Sequence, residues 1–211
     1  MRIIHCGDLH LDSRLNANLS DEKKRRERKL ELLRTFERMV EYGVQNRVDA
    51  IIIAGDLFDT KNVSVTARNC VYQEILNHPE MDFYYLKGNH DADSFLSALD
   101  SMPKNLKLFG ESWTSYYGDD EENITINGVE LSKENSLTIY DSLVLDTGKI
   151  NIVVLHGQES AYQSKDKTEC INLGALRNKG IDYLALGHVH ADSCPCNTTI
   201  LILPVSRTSE S

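Results

Sequence analysis

Side chains suited to binding metal ions stand in five short clusters, and each cluster directly follows an apolar run. The clusters are Asp8-Leu9-His10, Gly55-Asp56-Leu57-Phe58-Asp59, Gly88-Asn89-His90-Asp91, His156-Gly157 and Gly187-His188-Val189-His190. Five of the seven histidines of the chain fall in these clusters, which is more than scatter would place there. Glycine lets the backbone turn sharply where a side chain would obstruct an ion. The spacing therefore indicates one site assembled from distant parts of the chain.

The donor atoms in these clusters are imidazole nitrogens and carboxylate or amide oxygens, without thiolate. The candidate metal ligands are Asp8, His10, Asp56, Asn89, His156, His188 and His190. Such a set suits manganese, iron, cobalt or catalytic zinc, and disfavours a closed structural zinc site or an iron–sulfur cluster. Seven donors are too many for one tetrahedral ion but suit two ions that share a carboxylate. Two ions about 3.5–4 Å apart can hold the attacking and leaving oxygens of a phosphoryl displacement.

A plainer interpretation exists for each cluster by itself. Asp-x-His and Gly-Asn-His are weak patterns, and a single histidine is more often a loop or core residue than a ligand. The combination is more specific, because all five clusters occur in order and each follows a predicted strand. We therefore predict a site with two divalent metal ions.

The elements that must position these residues are short apolar runs rich in β-branched residues. The runs are Ile3-Ile4, Ala50 to Ala54, Phe83 to Leu86, Ile150 to Leu155 and Tyr183 to Leu186. Continuous apolar runs of this length predict strands buried on both faces, as in parallel sheets. Ligands of open α/β sheets bind at the carboxyl ends of the strands, where the five clusters lie.

Helical and hairpin patterns fill the segments between the runs. Leu30, Leu33, Phe36, Val40 and Val44 recur at helical spacing, and further helices are predicted at residues 65–76, 95–99 and 173–178. The alternation of strands and helices predicts an α/β fold with layered, mostly parallel sheets. Asn127-Gly128 predicts a hairpin turn that adds antiparallel strands. The run Ile200 to Leu203 is a candidate closing strand.

Length and composition favour a single globular domain over residues 1–211. The chain has 23 basic and 32 acidic residues and a net charge of −9. No apolar run approaches the roughly 20 residues that span a bilayer, so we expect no membrane association. Met1-Arg2 leads straight into Ile3-Ile4 without a longer apolar segment, so we expect no secretory signal. Five cysteines are an odd number in a chain too long to need disulfides, which suggests the reducing cytoplasm.

The ordered clusters resemble those of the calcineurin-like metallophosphoesterase superfamily, from Met1 to about His190. Residues 54–60, Ala67-Arg68 and the opening segment 1–8 are similar to the SbcD-type DNA double-strand-break repair nucleases. This resemblance implies the metallophosphoesterase fold, with sandwich-like sheets flanked by helices. It also implies a hydrolase, namely a DNA exonuclease or endonuclease of DNA repair and recombination.

The resemblance assigns roles to the clustered residues. Asp8, His10 and His190 would hold one ion, Asn89, His156 and His188 the other, and Asp56 would bridge them. The ions would usually be Mn²⁺, and a hydroxide between them would attack the phosphorus in line. His90 would steer the phosphate or protonate the leaving oxygen, and Asp91 would orient His90. For Asp59 two roles stay open: an approach to the site, or a cap on the following segment.

The charge pattern leaves DNA binding undecided. The total of −9 argues weakly against a polyanion partner, but residues 23–38 carry a local surplus of +5. The candidate phosphate contacts are Lys23, Lys24, Arg25 and Arg26. A solvated helix start with charge pairs at i and i+4 explains the same residues equally well.

Other functions and partners remain open. The substrate would otherwise be a small phosphomonoester, cyclic nucleotide or dinucleotide. A non-catalytic scaffold on the same fold is disfavoured, because such proteins lose site residues that this chain keeps. Relatives of the nuclease type continue into a DNA-capping region, which we expect to be absent here. An SbcC-like ATPase partner would require a docking region in the full protein, and a homodimer is a further expectation.

Overall fold

Two β-sheets face each other at the centre of the molecule. The computed structural model describes residues 1–13, 22–59, 63–91, 95–99, 101–118, 121, 123–159, 170–187 and 199–204, the last six and residues 158–159 by backbone only. The first sheet has the strand order β11-β1-β2-β3-β4 and the second the order β10-β7-β6-β5, while β8 and β9 form a small separate pair.

The strands and helices have the following bounds. The strands are β1 (Arg2–Gly7), β2 (Ala50–Ala54), β3 (Asp82–Leu86), β4 (Leu106–Leu108), β5 (Thr114–Tyr117), β6 (Ile124–Gly128), β7 (Ile150–His156), β8 (Gln158–Glu159), β9 (Cys170–Ile171), β10 (Tyr183–Gly187) and β11 (Thr199–Pro204). The helices are α1 (Glu22–Gln45), α2 (Val65–Asn77), α3 (Ile139–Ser142) and α4 (Leu173–Leu176), with a 3₁₀ turn at Leu96–Ala98. Within the described ranges, no helix has the length and apolar character needed to cross a bilayer.

Most strand pairs are parallel, as predicted for an α/β fold. Parallel pairing joins β1 to β2, β2 to β3, β3 to β4, β6 to β7 and β7 to β10. The antiparallel pairs are β5 with β6 and β1 with β11. The predicted closing strand therefore exists and lies against β1. The predicted fold class, mostly parallel sheets flanked by helices, is confirmed.

The five residues of β2 are all buried, and they divide between two apolar layers. Ile51 and Ile53 pack in the layer that also holds Phe36 of α1 and Val71 of α2. Ala50, Ile52 and Ala54 face the other sheet, where the layer includes Ile152 and Val154 of β7. A strand covered on both faces must be apolar at every position, which explains the uninterrupted run in the sequence.

Helix α1 buries a single stripe of side chains against the first sheet. The buried residues of the stripe are Leu33, Phe36, Met39, Val40 and Gly43. Leu30 and Val44, which the sequence placed on the apolar face, are each 39% exposed and lie at the margin of the buried stripe. The rest of the long helix is solvated, so packing of this stripe is what holds α1 in place.

The predicted turn at Asn127-Gly128 is wrong, because both residues are buried in β6. They pair with Ser115 and Thr114 of β5, and the connection between β5 and β6 falls at residues 118–123 instead. The Asn127 amide donates to Thr125 Oγ1 and the Ile152 carbonyl. A Cβ at residue 128 would overlap the Phe109 ring, so glycine is required there by close packing. Tertiary contacts thus override a local turn preference.

A buried histidine makes the stability of the sheet layer sensitive to acid. His5 of β1 is 3% exposed, its Nδ1 lies 2.9 Å from Tyr183 Oη, and burial lowers the pKa of His5 to about 4. Between that pH and about 6.5, the unfolded chain binds a proton that the folded chain does not. Folding stability from this residue is therefore present above pH 6.5 and is lost as the pH falls toward 4.

We expect the variant His5→Gln to show a smaller loss of stability between pH 6.5 and 4, by up to about 3 kcal/mol. Urea unfolding at several pH values measures the difference from the wild type. The control is His78→Gln, which removes a partly exposed histidine outside the layer. Equal pH dependence in His5→Gln and the wild type would show that His5 is not kept neutral by burial.

Candidate metal centre

The segments that follow β1 and β2 stay hydrogen-bonded to each other beyond the sheet. The amide of Asp8 donates to the Gly55 carbonyl at 3.1 Å, and the amide of His10 donates to the Asp56 carbonyl at 2.9 Å. Leu11 continues the pattern by donating to Leu57 at 2.9 Å. Because the two segments run side by side, the first and second sequence clusters meet at one edge of the sheet.

Three candidate ligands have left-handed backbone conformations. The φ angles are +54° at Asp8, +45° at His10 and +51° at Asp56. Such angles cost on the order of 1–3 kcal/mol each for residues other than glycine. They persist because the paired segments hold the backbone, and they aim the three side chains toward a common space. Concentrated backbone strain of this kind is typical of functional sites.

His156 brings a ligand from the second sheet to the same place. Its Nδ1 donates to the Ala54 carbonyl at 3.0 Å, which leaves Nε2 facing Asp56 Oδ2 at 3.4 Å and Asn89 Oδ1 at 3.2 Å. Gly55 has a φ of +83°, and a Cβ there would overlap the His156 ring. The glycine of the second cluster thus makes room for the histidine of the fourth.

The structure brings five of the seven predicted ligands together. Asp8, Asp56 and His156 each offer a donor atom within 4.8 Å of the other two. His10 Nε2 lies 4.0 Å from Asp8 Oδ1 and 3.9 Å from Asp56 Oδ2. Asn89 belongs to the same cluster because its Oδ1 lies 3.2 Å from His156 Nε2. His188 and His190 lie outside the described residues, so their part in the site stays a prediction.

The central carboxylate and the imidazole form a mutually stabilised charged pair. Burial alone would raise the pKa of Asp56, but His156 and the backbone amide of His90 outweigh it, so the pKa lies below its usual value. Burial would likewise lower the pKa of His156, and the neighbouring Asp56 raises it above the usual value instead. A cation placed beside Asp56 would take over the role of the protonated imidazole.

The residues present fit a divalent cation. Asp56 is fully buried, and within the described residues its Oδ2 accepts no hydrogen bond of good geometry. A Cβ at Gly88 would overlap the Asp56 carboxylate, so the glycine keeps this space open. Buried oxygen and nitrogen donors without sulfur suit manganese, iron or zinc. The prediction of a metal site is supported by this cluster, which leaves the identity of the ion open.

His90 lies beside the cluster and is paired with Asp59. Its Nδ1 is 3.0 Å from Asp59 Oδ1, and its backbone amide donates to Asp56 Oδ1 at 3.0 Å. The other oxygen of Asp59 accepts from Ser13 Oγ at 2.7 Å, which fixes the carboxylate. The side chain of His90 is 46% exposed, so it can meet a substrate. Of the two roles left open for Asp59, the structure supports the approach to the site.

Asp91 makes contacts other than the one expected. Its carboxylate accepts from the backbone amides of Leu57, Phe58 and Gly88 at 3.1, 2.7 and 3.0 Å. Burial raises the pKa of Asp91, although these amides partly offset the effect. Asp91 therefore ties the segment that carries Asp56 to the segment that carries Asn89. The carboxylate beside His90 belongs to Asp59, because the Asp91 side chain turns inward to these amides.

The predicted basic contacts lie at the start of α1. Lys23, Lys24, Arg25 and Arg26 are all exposed. One turn further on, Lys29 Nζ binds Asp12 Oδ1 at 3.0 Å, and Asp12 Oδ2 accepts from the Ser64 amide at 2.8 Å. Lys29 thus anchors the helix to the segment that follows β1, the same segment that carries Asp8 and His10.

Comparison with known proteins decides the family. Residues 1–192 match the family model described as calcineurin-like phosphoesterase. The chain belongs to this family. The phosphoesterases of the family use divalent metal ions, which agrees with the donor cluster around Asp56. The predicted superfamily is confirmed.

The chain is similar to several curated proteins, some of which are named as nucleases or DNA repair proteins. It is 27% identical over 200 residues to the uncharacterized metallophosphoesterase YhaO of Bacillus subtilis, covering 90% of this chain and 48% of the relative. It is 26% identical to the DNA double-strand break repair protein Mre11 of Methanopyrus kandleri, covering 92% and 45%. It is 24% identical to the SbcD component of the nuclease SbcCD of Staphylococcus epidermidis, covering 90% and 57%. The chain spans about half the length of these relatives.

Binding of Mn²⁺ should stabilise the folded phosphoesterase, and Asp56 should carry most of that effect. At an ion concentration about 100 times Kd, binding adds about 2.7 kcal/mol, or roughly 5–10 °C in Tm for a chain of this size. Asp56→Asn should lose more than half of the shift, because it removes the buried charge at the centre of the donors.

Thermal unfolding with and without Mn²⁺, and again after chelation, measures this effect. The control is Asp141→Asn, an exposed acidic residue of α3 that should leave the shift intact. A full Mn²⁺ shift in Asp56→Asn would contradict the assignment of the site.

Proposed function

We propose that this phosphoesterase hydrolyses phosphodiester bonds of DNA at a centre for two divalent ions, with Mn²⁺ as the expected metal. The proposed ligands are Asp8, His10, Asp56, Asn89, His156, His188 and His190. The observation that carries the proposal is the meeting of Asp8, Asp56 and His156 within 4.8 Å, next to the exposed His90. The relatives named as Mre11 and as part of the nuclease SbcCD support DNA as the substrate.

The ions, when bound, would activate water and offset the negative charge of the phosphate. The chain supplies the rest. Asp56 and Asn89 are held at fixed positions by the inward contacts of Asp91. Because three backbone amides fix the Asp91 carboxylate, these donors are preorganised before substrate arrives.

His90 is the proposed proton donor to the leaving oxygen. Histidine is suited to proton transfer near neutral pH. Asp59 Oδ1 lies 3.0 Å from His90 Nδ1 and fixes the orientation of the ring, with Nε2 left to face the substrate. The hydrogen bond from the backbone amide of His90 to Asp56 Oδ1 keeps this ring next to the metal ligands. Asp59 is therefore a positioning residue, while His90 touches the substrate.

The exposed start of α1 is the proposed contact for the DNA backbone. Lys23, Lys24, Arg25 and Arg26 are exposed, and the Lys29–Asp12 ion pair links their helix to the segment bearing His10. Basic side chains at such a place would bind phosphates several nucleotides from the cleaved bond. Cytoplasmic location, an SbcC-like ATPase partner and a homodimer belong to the same proposal.

A small phosphoester is the second candidate substrate, and the net charge of −9 favours it over a long polyanion. Hydrolysis of linear DNA, single-stranded DNA and a small chromogenic diester should be compared in Mn²⁺. Cleavage of either DNA is expected. Rapid turnover of the diester with both DNAs intact would overturn the nuclease proposal and favour the small substrate.

Replacement of His90 or Asp59 should slow hydrolysis without loss of metal binding. His90→Gln should lower kcat by about 10²–10⁴-fold, and Asp59→Asn by roughly 10–100-fold.

Steady-state kinetics measures both reductions in kcat, and the Tm shift with Mn²⁺ serves as the control for metal binding. A His90→Gln enzyme with the full rate would remove the proposed role of His90. An Asp59→Asn enzyme with the full rate would remove the proposed positioning role of Asp59.

Loss of the basic residues at the start of α1 should weaken binding to the same extent for every DNA sequence. The double variant Lys23→Ala, Arg26→Ala should reduce the salt slope of log K by about 2, which corresponds to two lost phosphate contacts. Binding to short duplexes at several salt concentrations tests this. The matched control is Lys104→Ala, Lys133→Ala, which removes two exposed lysines that are not part of α1. Identical slopes for both variants would show that the start of α1 is merely solvated.

A further inference from the structure

An ion pair joins the two sheets beside the metal centre. Lys87 directly follows β3 of the first sheet, and Glu130 follows β6 of the second sheet. Lys87 Nζ lies 3.3 Å from Glu130 Oε2, and the two side chains are 28% and 15% exposed. Both residues line one cavity together with Asn89 and His156. The ion pair therefore lies next to two proposed metal ligands that also come from different sheets.

The distance between these two ligands depends on contacts from one sheet to the other. The turn that carries Asn89 is tied to the first sheet by Asp91, whose carboxylate accepts from the Leu57 amide at 3.1 Å. Asn89 Oδ1 also lies 3.2 Å from His156 Nε2 of the second sheet, but these two atoms are the proposed metal ligands. The ion pair uses neither atom, so it can hold the sheets together when both atoms turn to an ion.

Glu130 is itself held firmly. Its backbone amide donates to the Gly110 carbonyl at 2.8 Å, and its carbonyl accepts from the side-chain amide of Asn135 at 2.8 Å. Because the backbone of Glu130 is fixed on both sides, its carboxylate provides a fixed point for the segment that it contacts in the first sheet.

Glu130 contacts the backbone of Lys87 as well as its ammonium group. Burial raises the pKa of Glu130, and the charge of Lys87 together with hydrogen bonds from its side chain and backbone amide partly offsets the rise. The chain passes from this amide through Gly88 directly to Asn89. Residues that position metal ligands in this way typically change metal affinity by about 10–100-fold when they are replaced.

The ligands proposed for the first ion are positioned by different contacts. The amides of Asp8 and His10 donate to the carbonyls of Gly55 and Asp56, so the segments after β1 and β2 hold each other. These hydrogen bonds do not involve the ion pair. Loss of the ion pair should therefore affect the first ion little and the second ion, which is the one assigned to Asn89 and His156, strongly.

We propose that Lys87 and Glu130 are positioning residues that hold Asn89 at the distance from His156 which the second ion requires. This proposal rests on the two-ion centre of the proposed function. It adds a contact between the sheets to the conditions for binding the second ion.

Titration of the full chain with Mn²⁺, with free Mn²⁺ followed by electron paramagnetic resonance, tests the proposal by binding rather than by turnover. The wild type should bind two ions. Lys87→Met and Glu130→Ala should each weaken the second ion by roughly 10–100-fold and leave the first unchanged. Asn89→Ala, which removes the ligand itself, should also lose the second ion and so identifies it in the titration.

The matched control is Lys107→Met. Lys107 Nζ lies 3.9 Å from Asp82 Oδ1, and its side chain is 30% exposed, so it is comparable with Lys87 in pairing and exposure. Asp82 begins β3, whereas Lys87 follows the end of the same strand. The control variant should therefore bind both ions as the wild type does.

The two variants of the pair separate positioning from a simple effect of charge. Lys87→Met removes a positive charge near the ions and Glu130→Ala removes a negative one, so charge alone would tighten binding in the first variant and weaken it in the second. Positioning predicts weaker binding in both, and Lys87→Arg, which keeps the ion pair, should retain the second ion. Unchanged binding in either variant, or tighter binding in Lys87→Met, would overturn the proposal. The comparison of Lys87→Met with Lys87→Arg decides the matter even if Glu130→Ala fails to fold.

The wild-type titration separates this inference from the proposed function. A wild type that binds fewer than two Mn²⁺ would overturn the two-ion centre, and the inference with it. Two ions bound with wild-type affinity in Lys87→Met and Glu130→Ala would keep the centre and remove the positioning role alone.

Discussion

The contact between the two sheets at the Ala54 carbonyl is the constraint on which the site depends. His156, at the end of β7, donates to this carbonyl at the end of β2, and a Cβ at Gly187 of β10 would overlap the same oxygen. The carboxyl ends of strands from both sheets are therefore forced together. Without this close approach, the first sheet would still pair Asp8, His10 and Asp56, but the second sheet would contribute no ligand.

The site is assembled at a cost to stability. Asp8 and Asp56 are buried beside each other, and both have left-handed backbone angles together with His10. The buried apolar layers on either side of β2 offset that cost, since they hold the strand ends in place regardless of what occupies the site. Functional sites are often strained in this way because their geometry serves a ligand rather than the folded chain alone.

Much of the fold could be predicted from the sequence, because a doubly covered strand must be apolar at every position. This holds for β2, and it holds for β7 apart from the terminal His156 and from Asn151, whose buried side chain donates to three backbone carbonyls. The predicted turn at Asn127-Gly128 failed, since neither the Phe109 ring over Gly128 nor the side-chain partners of Asn127 are visible to a local pattern. Contacts with residues far away in the sequence therefore decide whether a local turn preference is realised.

The sequence predicted which residues come together at the site, but not all of the contacts that their side chains make. The clustering of donors after the strands identified Asp8, His10, Asp56, Asn89 and His156, which the structure brings together. The position of Asp91 next to His90 in the sequence does not show which carboxylate contacts the His90 ring. Asp91 accepts hydrogen bonds from three backbone amides instead, and Asp59 of the second cluster contacts the ring.

Anomalous diffraction from crystals grown in MnCl₂, recorded at the manganese absorption edge, tests the central claim most directly. The account predicts two peaks a few ångströms apart, both in contact with the Asp56 carboxylate, one on the side of His10 and the other on the side of Asn89 and His156. Crystals without a peak at Asp56, or with manganese bound only at surface carboxylates, would contradict it.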